Sequence, residues 1–349
     1  MRPSPANRIV LDVGGTTLRT ARYERHTGRL SEVRRVPVEG MARHPDDPAA
    51  VLQERVVAQI GREIERIRTG PRDPAEIVVA FAGPVTDGGV VTAAPTIWGG
   101  PAEPVPLTAE LRDRLDAPVV VVNDLTAAAW RYLGRVPEPF CLITVSSGIG
   151  NKVVHAGRVM VDPDGIGGEL GHWTCDTGPD ALPCECGGRG HLGGIASGRG
   201  AVALARRRAV RDPGPFRRSV LARQAEIDAV GLARAVAGGD AFALDVLRTG
   251  LAHLASAVTA LFTAAGICHY VIVGGFAQAI GQSYVDLLAE QLDARGCFGL
   301  PPERIRRMAR LGEPDDDHAL IGAGRITTAA PEPQPEPTVP GGGSTVRTG

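Results

Sequence analysis

The chain has 349 residues, 43% hydrophobic and 22% charged, enough to bury a large core and to form two lobes. Its net charge of -1 offers no overall electrostatic footprint for nucleic acid or an anionic membrane. Six cysteines at this length do not make a small secreted disulfide framework, and the first apolar stretch, Ile9-Val10-Leu11, is broken by Asp12 too early for a signal or a membrane span, which points to the cytoplasm.

Residues 1–7 read as an extension ahead of a strand at 9–13. That strand turns through Gly14-Gly15-Thr16-Thr17 into a second one at 18–23. A strand returning directly through a tight Gly turn is a hairpin, not the strand-to-helix step of a dinucleotide site or Walker loop. Leu52, Val56, Ile60, Ile64 and Ile67 recur at helical spacing, with Gly70 as the stop. Strands follow at 76–81 and 118–122, then a helix at 126–133. At 142–155 the opening pattern repeats: an apolar strand, the turn Ser146-Ser147-Gly148-Ile149-Gly150, and a second strand from Lys152. Helices at 245–264 and 282–294 flank a strand at 270–273, while 199–240 carries no pattern sharp enough to bound. Strands alternating with helices predict an α/β protein. The lobes are expected at 8–135 and 136–328, and the Pro-Glu and Gly-rich composition of 329–349 predicts a disordered tail.

Four groups of residues carry chemistry. Asn123-Asp124 ends the run Val119 to Val122, so Asp124 stands where α/β sheets place ligands, or else caps the helix that follows. The turn Gly14, Gly15, Thr16, Thr17 offers backbone N–H groups and hydroxyls to phosphate, with Asp12 beside it to position magnesium through water; an ordinary turn has the same form. Ser147, Gly148 and Gly150 supply a second such turn, and Gly274-Gly275 either admits the adenosine part of a nucleotide or is a tight strand-helix junction. His172, Cys184, Cys186 and His191 lie within twenty residues among glycines and suit tetrahedral zinc, with Cys175 as a competing ligand. Glu169, three residues before His172, is either fixed by that loop beside a polyhydroxylated substrate or a surface carboxylate next to a structural histidine. Asp162 and Asp164 read as turn residues, Asp315-Asp316-Asp317 as the cap of a helix near His318, and Cys141, Cys268 and Cys297 as core.

In order and spacing, these groups, with Gly83-Pro84, Gly168-Glu169-Leu170-Gly171-His172, the run from Cys184 to His191, and Ala196-Ser197-Gly198, resemble the ROK family of sugar kinases over about residues 8–328. The resemblance implies a two-lobed ribonuclease H-like, actin-like ATPase fold with a zinc loop at 172–191. It also implies ATP, magnesium and structural zinc, and a homodimer. Asp124 would be the general base, with Gly83, Asn123, Glu169 and His172 at the substrate. Such a base accepts the proton of a primary alcohol as it attacks the γ-phosphorus.

The departures bear on substrate. Gly193 stands where the family carries a glutamate that contacts hydroxyls near the anomeric carbon, His191 replaces the third zinc cysteine, and Asn151-Lys152 replaces small residues. A substrate without an anomeric centre, such as a C7-cyclitol phosphorylated on its 7-hydroxyl, suits the missing glutamate, with kanosamine phosphorylated at its 6-hydroxyl close behind. Both belong to antibiotic-type biosynthesis; glucokinase activity is the plainer alternative. A sugar-responsive regulator or sensor is the alternative of another class, disfavoured because the residues ahead of Ile9 are too few for a helix-turn-helix and Asp124 is retained.

Overall fold

A computed structural model describes residues 7–70 and 76–327. Most of the expected 1–7 extension and the 329–349 tail lie outside the described residues; Asn7 already belongs to the first strand. The first half runs β1 (Asn7–Val13), β2 (Thr17–Glu24), β3 (Arg29–Pro37), α1 (Ala49–Ile67), β4 (Glu76–Phe81), α2 (Leu107–Leu115), β5 (Val119–Asn123) and α3 (Asp124–Trp130). The second runs β6 (Phe140–Val145), β7 (Ile149–His155), β8 (Arg158–Met160), α4 (Leu192–Ala196), α5 (Gly198–Arg211), α6 (Pro213–Arg218), α7 (Ala229–Ala237), α8 (Ala241–Ala265), β9 (His269–Val273), α9 (Gly275–Ile280), α10 (Gln282–Arg295), α11 (Pro302–Ile305) and β10 (Ala309–Leu311), and the helix α12 (His318–Arg325) follows.

The two halves share one topology. The first sheet has the order β3-β2-β1-β4-β5 and the second β10-β9-β6-β7-β8. In each, a central strand pairs antiparallel with its hairpin partner and parallel with the strand on its other side. The fold is α/β with two mixed sheets, consistent with the actin-like ATPase arrangement expected from the sequence.

Period-two alternation sends Ile9, Leu11 and Val13 to a core shared with α1 and α2, and Val10 to the opposite face, against Leu320 and Ala323 of α12. The second sheet turns Cys141, Ile143 and Val145 toward α8 and α10, and Phe140 and Leu142 toward α3. Helix α3 is therefore wedged between the sheets, with Ala127 in one core and Ala128 and Ala129 in the other. Helix α8 is long and apolar enough to cross a membrane by length and composition alone, but here its Val246, Leu254 and Val258 belong to the core of the second lobe.

Four sequence expectations change. Residues 318–325 pack on the first sheet rather than with the second lobe, and the buried Arg8 fastens them there by donating to the carbonyl of Gly324 at 2.9 Å. Helix α1 ends at Ile67, where Arg68 turns to extended backbone, so Gly70 is not its stop. Asp315, Asp316 and Asp317 give α12 no side-chain cap, because arginines of the first lobe and of the inter-lobe segment claim their carboxylates. Cys268 is half-buried rather than core.

The α3–α12 contact is close enough to require glycine: a Cβ on Gly322 would stand 1.7 Å from the carbonyl oxygen of Ala127. Gly322→Ala should lower stability in urea unfolding by ~1–3 kcal/mol, the usual cost of overpacking. Gly70→Ala, where an added methyl meets nothing within 4 Å, should change it by less than ~0.5 kcal/mol.

Candidate active site

Asp124 is the first residue of α3, at the carboxyl end of β5, and Asn123 caps the helix. The Asn123 Oδ1 accepts from the backbone N–H groups of Leu125 at 3.1 Å and Thr126 at 3.0 Å. Its Nδ2 donates to the Gly83 carbonyl at 3.0 Å and to Asp124 Oδ1 at 2.9 Å. The residue expected at the substrate thus orients the Asp124 carboxylate and ties it to the Gly83 turn. That turn cannot carry a side chain, since a Cβ on Gly83 would lie 2.2 Å from the Ala93 carbonyl.

Asp12, at the end of β1, faces the same cleft, which has a volume of about 510 Å³ and is lined by Asp12, Asp124, Gly274, Gly275, Gln278 and His318, among others. Arg19 Nε donates to Asp12 Oδ2 at 3.0 Å, and the Arg19 guanidinium reaches on to Asp316 and Asp317. Burial raises the Asp12 pKa, with Arg19 opposing. Burial, then repulsion from Asp12, pushes Asp124 up to about 7, against the Leu125 N–H, Lys152 and Asn123. A carboxyl poised there can take up a proton at neutral pH.

The first glycine turn follows Asp12 at the end of β1, and the second joins β6 to β7. In the first, Gly14 N–H closes on the Thr17 carbonyl at 3.0 Å, with Thr16 and Thr17 exposed. Gly15 sits against Thr96, whose carbonyl would be 2.8 Å from an added Cβ. In the second, Ser146 N–H bonds the Gly148 carbonyl at 3.0 Å, and Gly150 lets Leu125 of α3 approach. Gly274 holds φ +100°, with Thr144 Oγ1 and the Val145 carbonyl both 2.7 Å from where a Cβ would stand. Beyond it an apolar recess of about 460 Å³ is lined by Ser147, Arg199, Ala233, Arg234, Gly275 and Phe276.

The four soft donors converge. One ligand atom from each of His172, Cys184, Cys186 and His191 falls within 4.8 Å of the others, with Cys186 Sγ to His191 Nδ1 at 3.2 Å and Cys184 Sγ to His172 Nδ1 at 3.9 Å. Tetrahedral zinc with bonds of about 2.0–2.3 Å needs donors about 3.3–3.8 Å apart, so the set fits. Cys175 is outside it, and burial pushes its thiol up to about 11. Beside the cluster a cavity of about 740 Å³ is lined by Thr96, His172, Glu185, Gly193 and Arg199. Glu169 is exposed and is not among the cavity's lining residues.

Sequence reasoning missed Arg19, Arg199 and the role of the 315–317 turn. Arg199 pairs with Glu185 of the Cys/His loop and donates through Nε to the Ser147 carbonyl at 2.9 Å, joining that loop to the second glycine turn. Its place just after Ala196-Ser197-Gly198 was the available signal.

The sequence model of the ROK family matches residues 8–323. A C(7)-cyclitol 7-kinase of Streptomyces hygroscopicus subsp. jinggangensis is 50% identical over 333 residues, covering 93% of this chain and 95% of that protein. A 2-epi-5-epi-valiolone 7-kinase of Actinoplanes sp. is 31% identical, covering 98% of each. Among solved structures, a ROK family glucokinase from Streptomyces griseus, in complex with glucose and AMPPNP, superposes with a TM-score of 0.69 at 24% identity, covering 91% of this chain and 98% of that one.

Removing the repulsion from Asp12 should let Asp124 ionise more easily. In Asp12→Asn, the midpoint of the Asp124 carboxyl, followed by 13C NMR of labelled aspartate against Asp124→Asn as the blank, should fall below its native value of about 7. An unmoved midpoint would mean that the two carboxylates do not sense each other.

Proposed function

The chain belongs to the ROK family and is a kinase of sugar-like substrates, and from that premise we propose that it transfers the γ-phosphoryl group of ATP to the 7-hydroxyl of a C7-cyclitol. The observation that carries the chemistry is Asp124: a carboxylate with a pKa near 7, at the start of the helix wedged between the two sheets and in one cleft with Asp12 and Gly274-Gly275. The substrate class rests on the likeness to the cyclitol kinases. Gly193 supports it, because position 193 itself offers no carboxylate to an anomeric hydroxyl and Glu185, which also lines the cavity, is paired with Arg199, and sites built to bond a hydroxyl discriminate strongly through that bond.

In this reading Asp124 accepts the proton of the primary hydroxyl as its oxygen attacks the γ-phosphorus, the bond to the bridging oxygen breaks, and ADP leaves. Asn123 keeps the carboxylate aimed. Glu169 and His172 bond ring hydroxyls, His172 through the ring nitrogen turned away from the Cys/His cluster. The turns at Gly14–Thr17 and Ser147–Gly150 grip the triphosphate, and the recess beyond Gly274-Gly275 takes the adenine. Magnesium, when bound, neutralises charge on the transferring group. Asp12 is the residue to hold it through water, since the bonds from Arg19 fall on Oδ2 and leave Oδ1. Zinc on His172, Cys184, Cys186 and His191 orders the substrate loop. The enzyme works in the cytoplasm, as a homodimer.

ADP release with ATP and magnesium, measured across C7-cyclitols, kanosamine, N-acetylmannosamine and glucose, tests the assignment. Turnover should be confined to cyclitols and should fall by about 100-fold or more in Asp124→Asn, with cyclitol binding retained. The value of kcat/KM should drop as pH falls through about 7, where Asp124 takes up its proton. Turnover of glucose alone would discard the cyclitol reading, and binding without turnover would make the protein a sensor.

Elemental analysis should find one zinc per chain, lost in Cys184→Ser together with a lower thermal midpoint. Full turnover and an unchanged midpoint after metal removal would rule zinc out as a structural element.

A further inference from the structure

Lys152 is the one lysine in a chain whose other basic residues are all arginine. It lies on β7, 3% exposed, beneath the 162–171 loop that leads into the Cys/His cluster. Its Nζ donates to the Gly167 carbonyl at 2.5 Å, and a Cβ on Gly168 would stand only 2.9 Å from it. The neighbouring Asn151 holds the same loop twice: its N–H donates to the Gly168 carbonyl at 3.1 Å, and its Oδ1 accepts from Leu170 N–H at 3.0 Å. On its other side the loop reaches the first lobe, where Asp87 N–H donates to the Pro163 carbonyl at 2.8 Å. Gly165 there lies so close that a Cβ would be 2.2 Å from the Val85 carbonyl.

A buried ammonium is costly unless charge and hydrogen bonds compensate it. Gly150 and Val154 face α3, one against Leu125 and the other with Ala128 and Ala129, so Lys152 between them lies on the same face of β7, toward the helix that begins at Asp124. The groups of opposite charge acting on this ammonium are Glu169, from the loop, and Asp124, from α3, with Asp12 of β1 acting on Asp124 in turn. The glycine-packed slot also accounts for the residue type, because a compact ammonium fits where the wider planar guanidinium would not.

We propose that Lys152 is a positioning residue for phosphoryl transfer, its ammonium tying the loop that carries Glu169 and His172 to β7 and standing as counter-ion to the Asp124 carboxylate. This rests on the kinase reading with Asp124 as base. One side chain then governs both the seat of the acceptor and the charge of the group that deprotonates it.

A single lysine gives a single side-chain signal in protein labelled with 13C,15N-lysine. In the native enzyme that signal should show slowly exchanging ammonium protons and an inflection near pH 7, where Asp124 ionises, and the inflection should vanish in Asp124→Asn. The shift and fast exchange of a free lysine side chain, or an inflection that survives Asp124→Asn, would overturn the proposal without recourse to any Lys152 variant. In kinetics, Lys152→Met should raise the KM of the acceptor by about 10-fold or more, the scale of a lost charged hydrogen bond. It should also move the acid limb of kcat/KM to higher pH, since Asp124 loses a cation, and leave the KM for ATP within about 2-fold. An unchanged pH profile and acceptor KM would equally overturn the proposal. Because the NMR signal is read without turnover, an Asp124→Asn enzyme that stays active would sink the base assignment while leaving the lysine contact measurable.

Discussion

Helix α3 can lie between two sheets only because its inner positions are alanine. Ala127 packs on the first sheet while Ala128 and Ala129 pack on the second. Gly322 of α12 presses on its backbone from the side. Larger side chains would force the sheets apart, and close-packed interiors resist even a methylene of excess volume. The wedge fixes the first residue of α3, and with it Asp124, at the line where the lobes meet. Gly150 of the second lobe leaves room for Leu125 at the same junction.

The cleft at that line is acidic before any ligand arrives. Burial and then Asp12 raise the cost of ionising Asp124, and burial with Asp316 and Asp317 of the 315–317 turn does the same for Asp12. Arginines manage this charge by reaching out from defined places: Arg19 and Arg35 from the first sheet to Asp316, and Arg131 from the segment after α3 to Asp315. Burial of Arg131 makes the last pair structural as well as electrostatic. A triphosphate entering such a cleft needs countercharge brought with it, which suits a nucleotide taken up together with its metal ion.

The parts of the site legible in the sequence were those made by near neighbours in the chain. Both glycine hairpins, the Asn123-Asp124 junction and the Cys/His loop each occupy a short segment, and tight turns and soft ligands leave a local signature. The duplicated opening of the two halves was visible for the same reason. What escaped was set by distance along the chain. The aspartates at 315–317 have the look of a cap, and only the arginines folded against them make them ion-pair partners. The resemblance places Asn123 at the substrate, but its capping bonds and its hold on Gly83 carry no local signature, because they depend on β5 lying beside β4. Edge strand β3 is largely exposed, so it carried no apolar alternation to find. Helices α5, α6 and α7 fell in the stretch that could not be bounded: α6 and α7 span six and nine residues, too few for a sustained period, and α5 carries a run of arginines.

The return of α12 to the first sheet also orders events in time. During synthesis, Val10, Ala21, Val78 and Ala80 have only α3 to cover part of them until residues 318–326 emerge, after the whole second lobe. The first half is thus the earlier made and the later finished. Its last contacts are among the most distant in sequence, which slows their formation and leaves an apolar sheet face open meanwhile, a hazard for aggregation. Truncation of the chain ahead of Asp317 would leave that state permanent, with the α3 wedge lacking its lateral support even though the Asn123-Asp124 junction and both glycine turns were present.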